Sequence, residues 1–148
     1  VGPAARGSGL DVDARIDVPS GIWRTHGVPI ALWPSGDVYA RAFVRAVEIE
    51  GSASFVEHRL ADLPDGPARV EMGPLAADQV GVALVEGWRG EVCHVGITGP
   101  DGRFVHYKVV DPSFHNWMGL AMALRGQQIS DFPLCNKSFN LSYCGFDL

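Results

Sequence analysis

Apolar positions recur along this chain with two different periods, and the change of period divides it into three stretches. Between Gly36 and Pro64 the step is helical: Ala42, Ala46, Ile49, Ala53, Val56 and Leu60 follow at intervals alternating between four and three residues. That spacing lays all six along one stripe of an α-helix. Asp37 stands where an N-cap is needed, because its carboxylate can accept from the open amides of the first turn. Pro64-Asp65-Gly66-Pro67 cannot continue a helix and ends this one. Three alanines on the stripe admit close approach by a second helix. The stripe is expected to stay partly uncovered and to drive homodimerisation through an apolar patch. Arg41, Arg45 and Glu48 form the adjoining stripe, which reads either as a solvated face or as charges meeting acidic partners elsewhere.

From Val80 to Asp111 the period becomes two, predicting strands over 82–85, 91–98 and 104–110. Gly99-Pro100-Asp101-Gly102-Arg103 reverses the chain between the last two. Setting Cys93, Val95 and Ile97 opposite Val109, Tyr107 and Val105 gathers six apolar residues on one face, whereas a one-residue slip mixes the faces. In that register His94 and His106 share the other face, and two imidazoles alone make a poor metal site.

The last third predicts a helix over 114–124, capped by Asp111 or Ser113, stopped by Gly126, and buried along Met118, Ala121, Met122 and Leu124. Beyond it, Asp131-Phe132-Pro133 and the segment SFNLSYCG read as a compact, partly irregular tail. The opening, rich in Gly, Pro and Asp, reads as a loop wrapping other elements, and Val28 to Trp33 as a short strand. The fold class is α+β: a long helix and a C-terminal helix packed with a small antiparallel sheet whose hairpin spans about 91–110, in one domain.

Composition narrows the class. Forty-seven per cent of the 148 residues are hydrophobic and 20% charged, which suits a globular domain able to bury a core. Apolar runs stay far short of the 18 or more residues that cross a bilayer. The twelve basic residues are scattered and the net charge is −5, which excludes a nucleic-acid surface. Cys93, Cys135 and Cys144 form no C-x-x-C pair, so the chain holds no zinc ribbon or complete cluster set of its own. Free thiols suit a reducing, cytoplasmic setting. No signal-peptide pattern opens the chain, and its start at Val1 suggests a portion of something longer.

Four motifs then point one way. GDVYARAFVRAVE, from Gly36 to Glu48, resembles the G-D-x-Y/F-x-R-x-x-V-R-x-x-E signature of the hydrogenase-like large subunit of respiratory complex I. EGWRGE, from Glu86 to Glu91, resembles the family's E-x-x-R-G-E loop, and DPSFHNW, from Asp111, its P-S-F-x-N motif. The tail DFPLCNKSFNLSY, from Asp131, resembles formate-hydrogenlyase-type large subunits. The chain is therefore similar, over nearly its whole length, to the C-terminal portion of the large subunit shared by complex I and membrane-bound nickel–iron hydrogenases.

The resemblance carries implications. The hydrogenase tail ends in D-P-C-x-x-C, whose thiolates hold nickel; Ser142 and Gly145 stand in their places here, Asn140 replaces the Asp and Leu141 the Pro. Neither Ser142 nor Gly145 offers a soft sulfur ligand, so nickel is not expected. The chain is expected to carry no cofactor itself and to dock on a small iron–sulfur subunit and other complex-I-like subunits. It would sit peripherally on the inner face of the cell membrane, near a quinone-like site in the assembled complex. Arg89 and Glu91 would lie near the old nickel pocket, stabilising an anion or relaying protons, unless they only pair with neighbours and hold the loop. Asp131, Ser138 and Asn140 are polar groups that would face that pocket, although caps and buried hydrogen bonds account for them equally. Three readings of the whole stay open: an oxidoreductase subunit without nickel, a non-catalytic scaffold, and an active hydrogenase. The isolated fragment is expected to be inactive.

Overall fold

Asp37 caps the longest element as expected, its Oδ1 accepting from the Ala40 amide at 2.7 Å. The computed structural model describes residues 1–143. Its helices are α1 (Gly2–Arg6), α2 (Ala14–Asp17), α3 (Val38–Ala61), α4 (Ser113–Ala123) and α5 (Phe132–Phe139). Strands β1 (Val80–Gly87), β2 (Gly90–Thr98) and β3 (Phe104–Val110) make one antiparallel sheet in the order β1-β2-β3. The class is α+β, as the periodicity predicts. Among the described residues no helix is long and apolar enough to cross a membrane.

The opening segment does wrap other elements, but as short helices rather than as a loop. α1 contacts both α3 and β2, and α2 contacts β1. The contact between α1 and the β1–β2 turn is backbone against backbone. A Cβ at Gly90 would stand 2.8 Å from the Gly2 nitrogen, and Gly90 has φ +130°, so only glycine fits there. Val28 to Trp33 is not a strand. The sheet does not include it, and its visible tie is the Trp33 amide donating to the Arg6 carbonyl at 3.0 Å. A β-rich hexamer without a partner strand has nowhere to place its ladder bonds.

α3 leaves the apolar stripe uncovered, as expected, and turns a different face inward. Its buried residues are Ala40, Arg41 and Val44, because α1 and α5 both pack on that side. The Ala42-to-Leu60 seam faces outward, with Leu60 63% exposed. Arg41, Arg45 and Glu48 are thus not a solvated face; they point into the chain.

The sheet register differs by one residue from the expected one. Cys93 pairs with Val110, His94 with Val109 and Gly96 with Tyr107, with a shift between Ile97 and Thr98. Selecting register by a single buried face requires a face that is buried, and β1 and β3 are largely exposed on both sides in this chain. Thr98 fixes the irregularity instead: its hydroxyl donates to the Ala76 carbonyl at 2.7 Å and accepts from the Gln79 amide at 2.9 Å. His94 consequently shares a face with Tyr107, its Nδ1 lying 2.8 Å from the phenol oxygen, and His106 falls on the opposite face.

α4 buries Ser113, Asn116 and Leu120; of the expected stripe only Leu124 packs against the core, while Ala121 and Met122 are exposed and Met118 is 70% exposed. The tail is helical where the sequence predicts irregular structure. Pro133 sits in the first turn of α5, where its missing N–H costs nothing, and Asn140 ends the helix in the left-handed region at φ 54°. Leu120 of α4 meets Cys135 and Phe139 of α5, and Leu141, in the main apolar cluster. Each such side chain contributes about 1.5–3 kcal/mol by leaving water.

At the junction of these elements lies Arg6, 1% exposed. Its Nε and Nη2 donate to Glu48 of α3 at 2.6 and 3.0 Å, and its Nη1 to Glu86 of β1 at 2.9 Å and to the Val12 carbonyl at 3.0 Å. Asp13 lies 3.1 Å from the same nitrogen and is shared with Arg15 at 2.6 Å. Burial pulls Arg6 down, but the bonds to Glu48 and Glu86 outweigh it and hold the guanidinium above its ordinary pKa.

Removing one partner of such a cluster strands the rest. Arg6→Ala is expected to destabilise the chain by roughly 3–5 kcal/mol in urea titrations; a loss below about 1 kcal/mol would show that the hub is not structural. Burial pushes the Asp13 carboxyl up, but hydrogen bonds from Arg15 outweigh it and hold it below the usual range. Its stabilisation is therefore complete above the unfolded pKa of about 4 and is lost as pH falls through the lower folded value. The stability gap between wild type and Asp13→Asn should be widest near neutrality and close below about pH 4; a gap independent of pH contradicts this assignment.

Candidate functional site

Three arginines converge on the end of α5. Arg41 Nε donates to Ser138 Oγ at 2.9 Å and its Nη1 to the Gly36 carbonyl at 2.8 Å, while the guanidinium carbon lies 4.1 Å from the centre of the Phe139 ring. One turn on, Arg45 Nη1 donates to the Ser138 carbonyl at 2.5 Å and Nη2 to the Phe139 carbonyl at 3.1 Å. The third comes from the sheet: Arg89, in the turn between β1 and β2, donates through Nε to the Asn140 carbonyl. Its own carbonyl accepts from Asn116 Nδ2 of α4 at 3.0 Å. Consecutive carbonyls at a helix C-terminus point along the axis and carry its negative pole, which suits cations there.

Backbone carbonyls, Ser138 and aromatic rings are what these cations meet among the described residues. Among the described residues no ion pair involves Arg41, Arg45 or Arg89. Burial holds Arg45 below the ordinary arginine pKa, and the charges of Arg41 and Arg89 push in the same direction while Glu48 opposes them. Arg41 is held down by burial, with Cys135 and Asp37 acting against it. Buried Arg45 Nε has no hydrogen-bond partner among the described residues. The region is positive and is compensated by dipoles and by the rings of Phe139 and Trp88.

Beside it is a mixed-charge cavity of about 320 Å³, lined by Arg6, Arg15, Arg45, Glu48, Glu86 and Trp88 among others. Glu86 belongs to both the hub and this cavity. Burial pushes its carboxyl up, and the bonds from Arg6 and the Ala14 amide only partly offset that.

The residues singled out from the sequence fall into separate groups. Arg41, Arg45, Arg89, Ser138 and Asn140 meet at the end of α5. Ser142 lies close by, its amide donating to Ser113 Oγ at 2.9 Å, with Ser113 fully buried at the start of α4. Glu48 belongs instead to the Arg6 hub. Glu91 is not in a loop: it lies in β2, directly across from Glu86. Asp131 is exposed and closes a capping box with Gln128, so it faces no pocket. Gly145 and Cys144 lie outside the described residues. Sequence reasoning passes over Arg6, Asp13 and Asn116. The available sign for Arg6 is its setting between alanines and glycines, small residues that let neighbouring backbone close over a charged side chain.

At Ser142 the donor would be a hydroxyl, a hard oxygen in place of a thiolate. That donor does not fit a thiolate-bound soft metal. Among the described residues no three His, Cys, Asp or Glu side chains cluster as a metal site.

The architecture matches a known fold. A chain of the membrane-bound sulfane sulfur reductase, an archaeal respiratory membrane complex, superposes with a TM-score of 0.89 over 100% of this chain and 42% of that one, at 23% identity. Residues 1–80 match the family described as respiratory-chain NADH dehydrogenase, 49 Kd subunit, and the chain belongs to that family. The carbon monoxide-induced hydrogenase of Rhodospirillum rubrum is 34% identical over 140 residues, covering 95% of this chain and 39% of that protein. The alpha subunit of the membrane-bound hydrogenase of Pyrococcus furiosus is also 34% identical, over 95% of this chain and 36% of its own length. Formate hydrogenlyase subunit 5 of Escherichia coli is 29% identical, over 97% and 25% respectively. The chain thus spans about two-fifths or less of the curated relatives just named.

Ser113→Ala removes this acceptor from the half-buried Ser142, and a cost of about 0.5–1.5 kcal/mol is expected. Hydrogen exchange should show lost protection at the Ser142 amide before any change in α3; unaltered exchange there would mean that the tail is not held by this bond.

Proposed function

We propose that this chain is the C-terminal part of an oxidoreductase large subunit in a membrane-associated electron-transfer complex, working without nickel. What supports the reading is the arginine clamp: the turn of the family's E-x-x-R-G-E motif grips the tail through Arg89, at the segment where hydrogenases carry their sulfur ligands. With Ser142 in the first ligand position, the vestigial pocket takes a quinone-like headgroup, which is reduced by electrons from a small iron–sulfur partner alongside. Guanidinium groups favour the reduced, more anionic oxygen of such a ligand. Glu86, with its raised pKa, supplies or receives the accompanying proton within the mixed-charge cavity. The chain lies peripherally at the inner membrane face through its partners.

One observation favours a second reading, a scaffold without redox substrate. The bonded donors of Arg41, Arg45 and Arg89 are engaged by backbone carbonyls and Ser138, as expected of a structural clamp.

Two measurements on the purified assembled complex decide among these. Elemental analysis should find no stoichiometric nickel; one nickel per large subunit overturns the reading. Arg89→Lys should lower quinone-analogue reduction by about tenfold or more, since a lysine keeps the charge but loses the fork. If the complex assembles but reduces no quinone analogue even as wild type, the scaffold reading replaces the first.

A further inference from the structure

Residues 18–33 form a strap along α3 that is fastened at both ends and lightly held between them. Upstream, the Val18 amide donates to the Ala14 carbonyl at 3.2 Å, and Arg15 lies over the Trp23 ring. Downstream, Trp33 packs on Tyr39 and Phe43 of α3 in addition to its bond to Arg6. Between these anchors the backbone bonds only to itself, around the single 3₁₀ turn Gly21–Arg24. Three side-chain contacts seat the middle of the strap on the C-terminal half of α3. Trp23 meets Phe55 with ring centres 5.0 Å apart, Pro29 lies close over Gly51, and His26 meets Arg59. Among the described residues only the last of these is a hydrogen bond.

Geometry fixes the protonation state of that histidine. Arg59 Nη1 stands 2.7 Å from His26 Nε2. A guanidinium has donors and no acceptor, so Nε2 must present its lone pair. The ring proton then lies on Nδ1, 2.8 Å from Thr25 Oγ1, which accepts it while donating to the Ile22 carbonyl at 3.2 Å. A second proton would set N–H against N–H and cation against cation. The surrounding groups offer no relief. The titratable and charged side chains lining the cavity at this contact are His26, His58 and Arg59. The strap adds Arg24, turned to the Pro19 carbonyl, and α2 adds Arg15, so all of them are basic. The nearest acids in sequence, Glu57 and Asp62, form no ion pair with any of them among the described residues.

We propose that His26 is a proton-operated latch: on protonation it releases Arg59, and the middle of the strap lifts from α3. Lifting bares Phe55 and widens the cavity of about 480 Å³ that it lines with Gly51 and His58. Imidazole is the side chain suited to such a switch, because it changes charge in mildly acid solution. Release takes up a proton, so acid favours the lifted strap and alkali the seated one. His58 is not part of the latch, since its Nδ1 donates at 2.6 Å to the Ser54 carbonyl of its own helix. This inference is independent of nickel, quinone and the arginine clamp.

Hydrogen-exchange mass spectrometry on the purified assembled complex reads the strap directly. After correction for the intrinsic pH dependence of exchange, amides of residues 20–31 should lose protection by about tenfold or more between about pH 8 and about pH 5.5, while those of α5 keep theirs. His26→Gln retains an acceptor for Arg59 but takes up no proton, and its profile should be flat. Arg59→Gln meets either form of the ring, because an amide offers both a donor and an acceptor, and should also flatten the profile. His58→Gln should follow the wild type. A wild-type strap whose protection does not fall with pH overturns the proposal. So does a full acid loss that persists in His26→Gln or Arg59→Gln, or one that disappears in His58→Gln.

Discussion

A guanidinium cannot leave water unless its charge and its donors are met, and Arg6 leaves water almost completely. Meeting it draws carboxylates from α3 and β1 together with Asp13 at the start of α2, so the charge requirement of one side chain sets the relative placement of four elements. The apolar core by itself is modest, centred on Leu120, Cys135, Phe139 and Leu141 at the opposite end of the chain. The hub does for the opening segment and the sheet what burial does for α4 and α5. It also explains why the opening residues are helical: Gly2 lies against Gly90, and from there the five-residue α1 delivers Arg6 to the junction.

The second cationic group follows a different electrostatic rule. Arg6 is neutralised by carboxylates, whereas Arg41, Arg45 and Arg89 meet dipoles, carbonyls and aromatic rings. Dipoles bind a cation without cancelling its charge, so among the described residues this end of α5 is positive, beside a cavity that holds both signs. The same clamp also holds the tail, so geometry and electrostatics are carried by the same side chains.

The chain matches 42% of its structural neighbour's length, and much of its apolar surface is exposed. The sheet has no fully covered face and the α3 seam has no neighbour over most of its length among the described residues. The amphipathic signal located α3 and agreed with an uncovered stripe, but it did not show which residues turn inward. A stripe of alanine, isoleucine, valine and leucine reports that something apolar packs there, not that this chain supplies it.

Local chemistry in the sequence determined the elements themselves. Asp37 and the Pro64–Pro67 run bounded α3, the Gly99–Arg103 turn bounded the hairpin, and four motifs in order pointed to the family. Those features act over a few residues, through capping, turn geometry and periodicity, and are readable without neighbours. Only the tertiary structure decided which face of α3 turns inward, that the hairpin is paired one residue away from the all-apolar register, that Asp131 is a cap, and that Arg6 is central. Each of these depends on what approaches from far along the chain: Glu48 and Glu86 for Arg6, α1 and α5 for α3, and Ala76 with Gln79 for the sheet. Periodicity counts apolar positions but assigns no partner to them, and partners are what burial and buried charge require.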